Sequence, residues 1–306
     1  KKISICFYGI TRNLKKTDPS IEENIINPAK KHAEVKIFCH FFNNEYVNNK
    51  RSGEINLKIE KNWELIDCEK LITDPPNLFL KEANLENIYK YGDPHLDNFK
   101  TTENLIHQLF SLKKAYQISE KFDSDITLFI RPDLLYIDSF EELIRKNLSR
   151  KGDIVSLPSW QSFRGLNDRF SICNSHYSAK IYSYRIDQIN NYLKKFQSPV
   201  HGEELLFYAL ENSKTKILFI KNRAFRVRVS GYIKEESFEY QKNLLRIKKL
   251  VINKNNELNF ILLFCKLILF SYKKYLNFIK IKIYFRNNIF LEKYIKIIKI
   301  KLKKFF

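Results

Sequence analysis

The chain has 306 residues and carries 54 Lys and Arg against 34 Asp and Glu, a net charge of +20, and it is long enough for one large α/β domain with an appendage. The excess is local: residues 242–306 hold 17 basic and two acidic side chains, so residues 1–241 hold 37 and 32 and stand near neutrality. Five scattered cysteines with no C-x-x-C pair exclude a disulfide framework and a cysteine zinc site, and they fit a reducing cytoplasm.

Ile3–Gly9 is the first expected strand, followed by a loop Ile10–Asn13, a helix over about 20–32 and a second strand Val35–Phe41. Strand, loop, helix and strand within some forty residues form a βαβ unit. No G-x-G-x-x-G accompanies it, which argues against a dinucleotide-binding Rossmann domain. Residues 43–100 are polar and broken by Asp74-Pro75-Pro76 and Gly92-Asp93-Pro94, so they read as an excursion with a short third strand near Leu65–Ile66 and little chemistry. A helix is predicted from Thr101 to about Lys121, with Leu105, Leu109, Leu112, Tyr116 and Ile118 roughly on one face.

Ile126-Thr127-Leu128-Phe129-Ile130 has the short apolar run of a central parallel strand. Pro132 cannot donate to a sheet ladder and ends it. Arg131 and Asp133 therefore stand where a parallel strand delivers residues to a ligand. A carboxylate there can hold a divalent cation and an arginine can hold a phosphate; an ordinary surface ion pair is the alternative. A helix over 139–148 and a strand over 153–158 follow. The polar and aromatic stretch from Trp160 to Ile172 reads as a binding loop. Residues 177–196 are predicted helical, His201-Gly202-Glu203-Glu204 opens a helix through Leu210, and Lys216–Ile220 is a further strand. Arg223, Arg226 and Arg228 come after it. Alternating β and α over 240 residues predicts an α/β fold, a mostly parallel sheet flanked by helices.

Taken in order, Tyr8-Gly9 with Thr11-Arg12, Val35–Phe41, the helix of Gln108 and Leu112, Arg131-Pro132-Asp133, Gly165–Phe170, Gly202-Glu203-Glu204 and Arg226–Gly231 resemble bacterial and viral GT-A-type glycosyltransferases. The likeness is to the polysaccharide-cluster transferases that carry R-P-D in place of D-x-D. It covers roughly residues 3–232. It implies a GT-A-like domain over 1–241 that moves a sugar from a nucleotide-sugar donor to a growing surface glycan, a capsule or lipooligosaccharide. Tyr8, Gly9, Thr11, Arg12, Arg131, Asp133, Arg226 and Arg228 would then face the donor, although core packing is an equal reading for Tyr8. Asp133 would reach a Mn²⁺ or Mg²⁺ on the diphosphate; because Arg131 replaces the first acid, a guanidinium can take that part instead. Asp168 and Glu203 are the carboxylates for the proton of an acceptor hydroxyl, and Trp160, Asn167 and Arg169 fall on the acceptor side. Glu203 and Glu204 also suit the first turn of any helix, and His176 and His201 read as surface or polar-network histidines.

Residues 242–306 interleave Lys with Ile, Phe and Tyr, and Asn259–Phe270 is apolar but too short for the roughly 20 residues of a membrane span. This pattern predicts a basic amphipathic helical segment lying on an anionic membrane. With no signal-peptide pattern before the first strand, the expected place is the inner face of the cell membrane. Packing of the segment on the body or in a dimer contact is the soluble alternative. A nucleic-acid-binding protein is disfavoured, because the lysines alternate with apolar residues and the body is nearly neutral. A non-catalytic scaffold with a transferase fold remains the other reading.

Overall fold

The computed structural model describes residues 1–76 and 78–239; the expected helical tail over 242–306 and the boundary at 241 lie outside the described residues. The strands are β1 (Lys2–Gly9), β2 (Glu34–Phe42), β3 (Tyr46–Asn49), β4 (Glu54–Lys58), β5 (Lys70–Asp74), β6 (Ile126–Ile130), β7 (Leu134–Tyr136), β8 (Ile154–Pro158), β9 (Ser171–Cys173), β10 (Lys216–Ile220), β11 (Ala224–Val227) and β12 (Ile233–Lys234). The helices are α1 (Leu14–Ile21), α2 (Asn27–Lys30), α3 (Leu78–Glu82), α4 (Leu85–Tyr89), α5 (Lys100–Ser119), α6 (Glu141–Ser149), α7 (His176–Ser183), α8 (Ile189–Phe196) and α9 (Gly202–Glu211). A seven-stranded sheet runs β10-β8-β9-β6-β1-β2-β5. All its neighbours pair parallel except around β9, which is antiparallel to both β6 and β8. The predicted mostly parallel α/β sheet is what forms.

Both faces of β1 and β6 are covered, which is why their sequences are continuous apolar runs rather than alternating ones. Ile3, Ile5 and Phe7 join Ile126, Leu128 and Ile130 in one core with Leu14, Ile21 and Ile25 of the first helical run. On the other face α5 packs across β1 and β2, burying Leu109, Leu112 and Tyr116. Each such fully buried side chain contributes about 1.5–3 kcal/mol of transfer free energy.

The first helical run starts at Leu14, not near Ser20, and includes Pro19 at the loss of one hydrogen bond to exposed Lys15. Between α1 and α2 it widens into a π turn over Glu22–Ile26. Pro28 has no N–H for the carbonyl of Asn24; that carbonyl accepts instead from Phe140 N at 2.8 Å, which fastens the start of α6 to this helix. The short strand expected near Leu65–Ile66 is a 3₁₀ turn, Trp63–Leu65, because Ile66 is drawn into the core. The third parallel strand is β5, added to the edge beside β2. Ser171–Cys173, expected within a loop, is β9.

A second, three-stranded antiparallel sheet runs β12-β11-β7. It starts directly from the turn after β6, and Arg226 of β11 pairs with Leu134 of β7. That register brings the C-terminal arginines to the end of the central strand.

Candidate active site

β1 has β2 on one side and β6 on the other, so the order in which the chain adds strands reverses at β1. Crevices for ligands form at such reversals, outside the carboxyl ends of the strands. Two adjoining cavities lie there. The smaller, about 260 Å³, is lined by Tyr8–Ile10, Phe42, Asn44, Tyr46–Asn49, His107 and Asp133, among others. The larger, about 500 Å³, includes Arg51, His95, Asp168, Arg169, Glu203, Arg226 and Arg228. Arg12, Asn49, Asn104, Gln108 and Arg131 line both.

The floor is a cluster of buried ion pairs. Arg131 donates from Nε and Nη2 to the two oxygens of Asp133 at 2.9 and 2.8 Å, and its Nη1 reaches Gln108 Oε1 at 3.2 Å. Arg12 Nε lies 3.8 Å from Asp133. Burial opposes both charges of the Arg131–Asp133 pair, but their attraction overcomes it: Asp133 is held below the usual carboxylate range and Arg131 above its ordinary value. Beside it, Glu54 (2 % exposed) accepts from Arg12 at 3.0 Å, Arg228 at 3.2 Å, Ser52 at 2.7 Å and the Val229 backbone at 2.9 Å. Glu236 accepts from Arg226 at 2.8 Å and Arg169 at 3.3 Å.

The opposite wall carries the two predicted carboxylates. Asp168 accepts from Gln108 at 3.4 Å and has the fully buried guanidinium of Arg185 at 3.6 Å, so its charge has a fixed partner. Glu203 stands in the first turn of α9 and accepts from the Arg164 backbone N–H at 2.9 Å. Burial pushes its carboxyl up to about 7; the Arg164 hydrogen bond works against this, and the charge of Asp168 adds to it. Glu204 is used differently, in an ion pair with Arg164 at 2.9 Å and as acceptor for the Tyr192 hydroxyl.

Two glycines allow this wall to close. The 159–170 loop lies on the start of α9, with Leu166 N donating to Glu203 O at 3.0 Å. A Cβ at Gly165 would stand 2.1 Å from that same carbonyl oxygen, and one at Gly202 would meet Leu105 and Asp168. Gly165→Ala is therefore expected to cost about 1–3 kcal/mol, read as a lowered melting temperature. An unchanged melting temperature would mean that the loop is not held against α9.

The predicted donor residues Gly9, Arg12, Arg131 and Asp133 come together at the smaller cavity, and Arg226 and Arg228 at the larger; Tyr8 borders the smaller one but is fully buried, its hydroxyl donating to Asp168 O at 3.3 Å, as in its core-packing reading. Thr11 borders neither: it is 2 % exposed and its hydroxyl accepts from Trp63 Nε1 at 2.9 Å. Trp160, expected on the acceptor side, does not reach either cavity. Trp160 is 1 % exposed, donates to Asn222 O at 2.9 Å, and carries the Arg169 guanidinium 4.7 Å over its ring. Asn167 is buried too; it bonds Trp160 O and the Arg169 backbone N–H and so shapes the loop from inside. Arg169, expected on the acceptor side, belongs to the arginine cluster.

The excursion over 43–100, expected to be chemically poor, supplies Glu54, Ser52, Arg51 and His95. Nothing local signals Glu54 as a charge partner, because its two arginines lie 42 and 174 residues away. Glu236 was missed for the same reason.

The donor set does not fit a divalent cation at Asp133. Both of its oxygens are occupied by Arg131, a second guanidinium stands beside it, and among the described residues no three His, Cys, Asp or Glu side chains gather as a metal site.

No protein-family profile matches the chain, and no curated protein matches it in sequence. Among solved structures it is similar to mouse xyloside xylosyltransferase 1 in its apo form, at 12 % identity over 72 % of this chain and 84 % of that one, TM-score 0.40. It is similar to a putative glucose-1-phosphate thymidylyltransferase of Bacillus anthracis in complex with a sucrose, at 9 % identity over 74 % and 89 %, TM-score 0.33. It is also similar to the galactosyltransferase LgtC in complex with donor and acceptor sugar analogues, at 11 % identity over 71 % and 73 %, TM-score 0.36. Superposition at this level leaves substrate and chemistry to be read from the site.

Proposed function

We propose that the protein is a glycosyltransferase that moves a sugar from a nucleoside diphosphate sugar to a hydroxyl of a glycan. The observation that carries this reading is the pair of adjoining cavities at the strand-order reversal: one beside the end of β1, one cationic with Asp168 and Glu203 in its wall. The smaller, with Asn44, Asn104, His107 and Gln108 among apolar walls, offers polar groups for a nucleoside, and Arg131 lines both cavities. Positive charge around the larger cavity favours a leaving diphosphate.

For transfer with inversion, the bond between the anomeric carbon and the β-phosphate oxygen breaks with its electron pair going to the phosphate. The acceptor oxygen bonds to the anomeric carbon and gives its proton to a base. Glu203 suits that part better than Asp168, because its carboxyl titrates near neutrality, whereas Asp168 is engaged with Arg185. Asp168 then positions the acceptor.

A surface glycan as acceptor, and a place on the inner face of the membrane, are supported by the sequence: the resemblance around R-P-D, and the basic, apolar interleaving of residues 242–306 as a membrane-associating segment distinct from the 1–241 domain. Among the described residues no helix is long and apolar enough to cross a membrane.

The test is a thermal-shift panel of UDP, GDP, CMP and their sugars on the full chain. A ligand at 100 times its Kd adds about 2.7 kcal/mol of stability, and the nucleotide that shifts the melting point names the donor class. If no nucleotide or nucleotide sugar shifts it, the transferase reading fails in favour of a scaffold.

A further inference from the structure

We propose that the larger cavity holds a diphosphate directly on the guanidinium groups of Arg169, Arg12 and Arg226, with no divalent cation between protein and phosphate. This deepens the glycosyl-transfer reading and rests on it for the identity of the diphosphate.

Donors are waiting for an anion there. Among the buried side-chain atoms with no hydrogen-bond partner are Arg169 Nη1 and Arg12 Nε, the latter with only the long contact of 3.8 Å to Asp133, and both residues line the cavity. Arg169 is 7 % exposed; its Nη2 is occupied by Gln161 and Glu236, its face lies on Trp160, and Nη1 is left over. An unsatisfied buried donor on a cation is costly, and a phosphate oxygen removes that cost in the presence of ligand. Burial, with the neighbouring charge of Arg226, lowers the pKa of Arg169 to about 10 despite Glu236.

The charge count points the same way. Seven Arg and Lys side chains line the cavity, against Asp168 and Glu203 in its wall and Glu54, Asp133 and Glu236 directly behind it. The excess is positive and suits a diphosphate. A cation arriving at Asp133 would instead have to displace Arg131 and sit among Arg12, Arg131 and Arg226, where like charge repels it. Guanidinium forks also match the paired oxygens of a phosphate better than an ammonium would. Charge appearing on the β-phosphate oxygen during transfer is then neutralised by groups fixed in place by Glu54, Glu236 and Trp160.

The experiment is calorimetric titration of the full chain with inorganic pyrophosphate, UDP and GDP, each in EDTA and in Mn²⁺, on the native protein, Arg169→Lys and Arg226→Gln. Arg169→Lys keeps the charge and the contact with Trp160 and removes the fork. Arg226→Gln, on a half-buried strand position, is the control for misfolding at Arg169. The expected result is the same Kd in EDTA and Mn²⁺, weakened at least about tenfold by either substitution. Binding that needs Mn²⁺ would overturn the inference and leave the transferase reading intact. Binding in EDTA that neither substitution affects would overturn the assignment to these arginines. Pyrophosphate bound in EDTA with neither nucleotide bound would support the anion site and count against the donor reading, and no binding at all would sink both.

Discussion

Asp133→Ala is expected to destabilise the protein by about 3–5 kcal/mol, the range for removing one partner of a buried ion pair. Asp133 is 3 % exposed and answers two hydrogen bonds from Arg131, with Arg12 close by. Its removal leaves the partly buried guanidinium of Arg131 with no carboxylate and Arg12 with Glu54 alone. Urea denaturation measures the loss, and Arg131→Met combined with Asp133→Leu is expected to recover part of it, since an apolar replacement of a buried pair is often neutral. The acid limb of the stability curve gives a second reading. A carboxylate whose folded pKa is depressed contributes stability that is present above its unfolded pKa, near 4, and is lost as pH falls through the folded value. The native protein should therefore lose stability at acid pH in a step that Asp133→Ala lacks. A loss below about 1 kcal/mol, in the range of an exposed pair, would mean that the cluster is open to water.

Glu203→Gln is expected to lower kcat by about 10²–10⁴-fold, the range for removing a general base, with the rising limb of the pH–rate profile near 7 in the native protein. The sign for stability is opposite to that of Asp133. A carboxyl whose folded pKa is raised contributes stability that is fully present below its unfolded pKa of about 4.5 and is lost as pH rises through 7. Gln cannot ionise, so Glu203→Gln should be more stable than the native protein at pH 8, by an amount on the order of 3 kcal/mol at most, and equal to it at pH 4. A variant that is more stable at pH 8 yet fully active would keep the burial argument and dismiss the base. Steady-state rates and melting curves on the same samples separate the two.

The sheet was legible because its order follows from local pattern. Ile126–Ile130 and Lys216–Ile220 form strands at the predicted residues, since an apolar run closed by Pro132 or opened by Lys216 carries its own boundaries. β9 was not legible: three residues between Phe170 and Asn174 are too few to show a period, and only β6 and β8 on either side make them a strand. At the site, Arg131 and Asp133 could be placed because a strand end fixes them. Their pairing to each other was open in the sequence as an ion pair, since i and i+2 share one face of an extended chain; its setting beside Arg12 and Gln108 was not, because those partners lie far off in the chain. Trp160 was misjudged because an aromatic in a polar loop looks exposed until the tertiary fold covers it, and Glu54 because its meaning lies in two arginines distant in sequence.

The reversed direction of β9 has a consequence for how such a protein can change its specificity. The connection over 159–170 leaves β8 and enters β9 at the same rim of the sheet, so both its anchors stand fixed beside the cavity. A parallel strand in that place would have forced the chain to travel to the far rim and back. With both ends pinned, residues can be added to this connection without shifting either strand, and doubling its length raises the closure entropy by only about 0.6 kcal/mol. Insertions at its exposed tip, Phe163–Arg164, can thus reshape the cavity wall at little risk to folding, while Asp168 and Arg169 beside the β9 anchor keep their places.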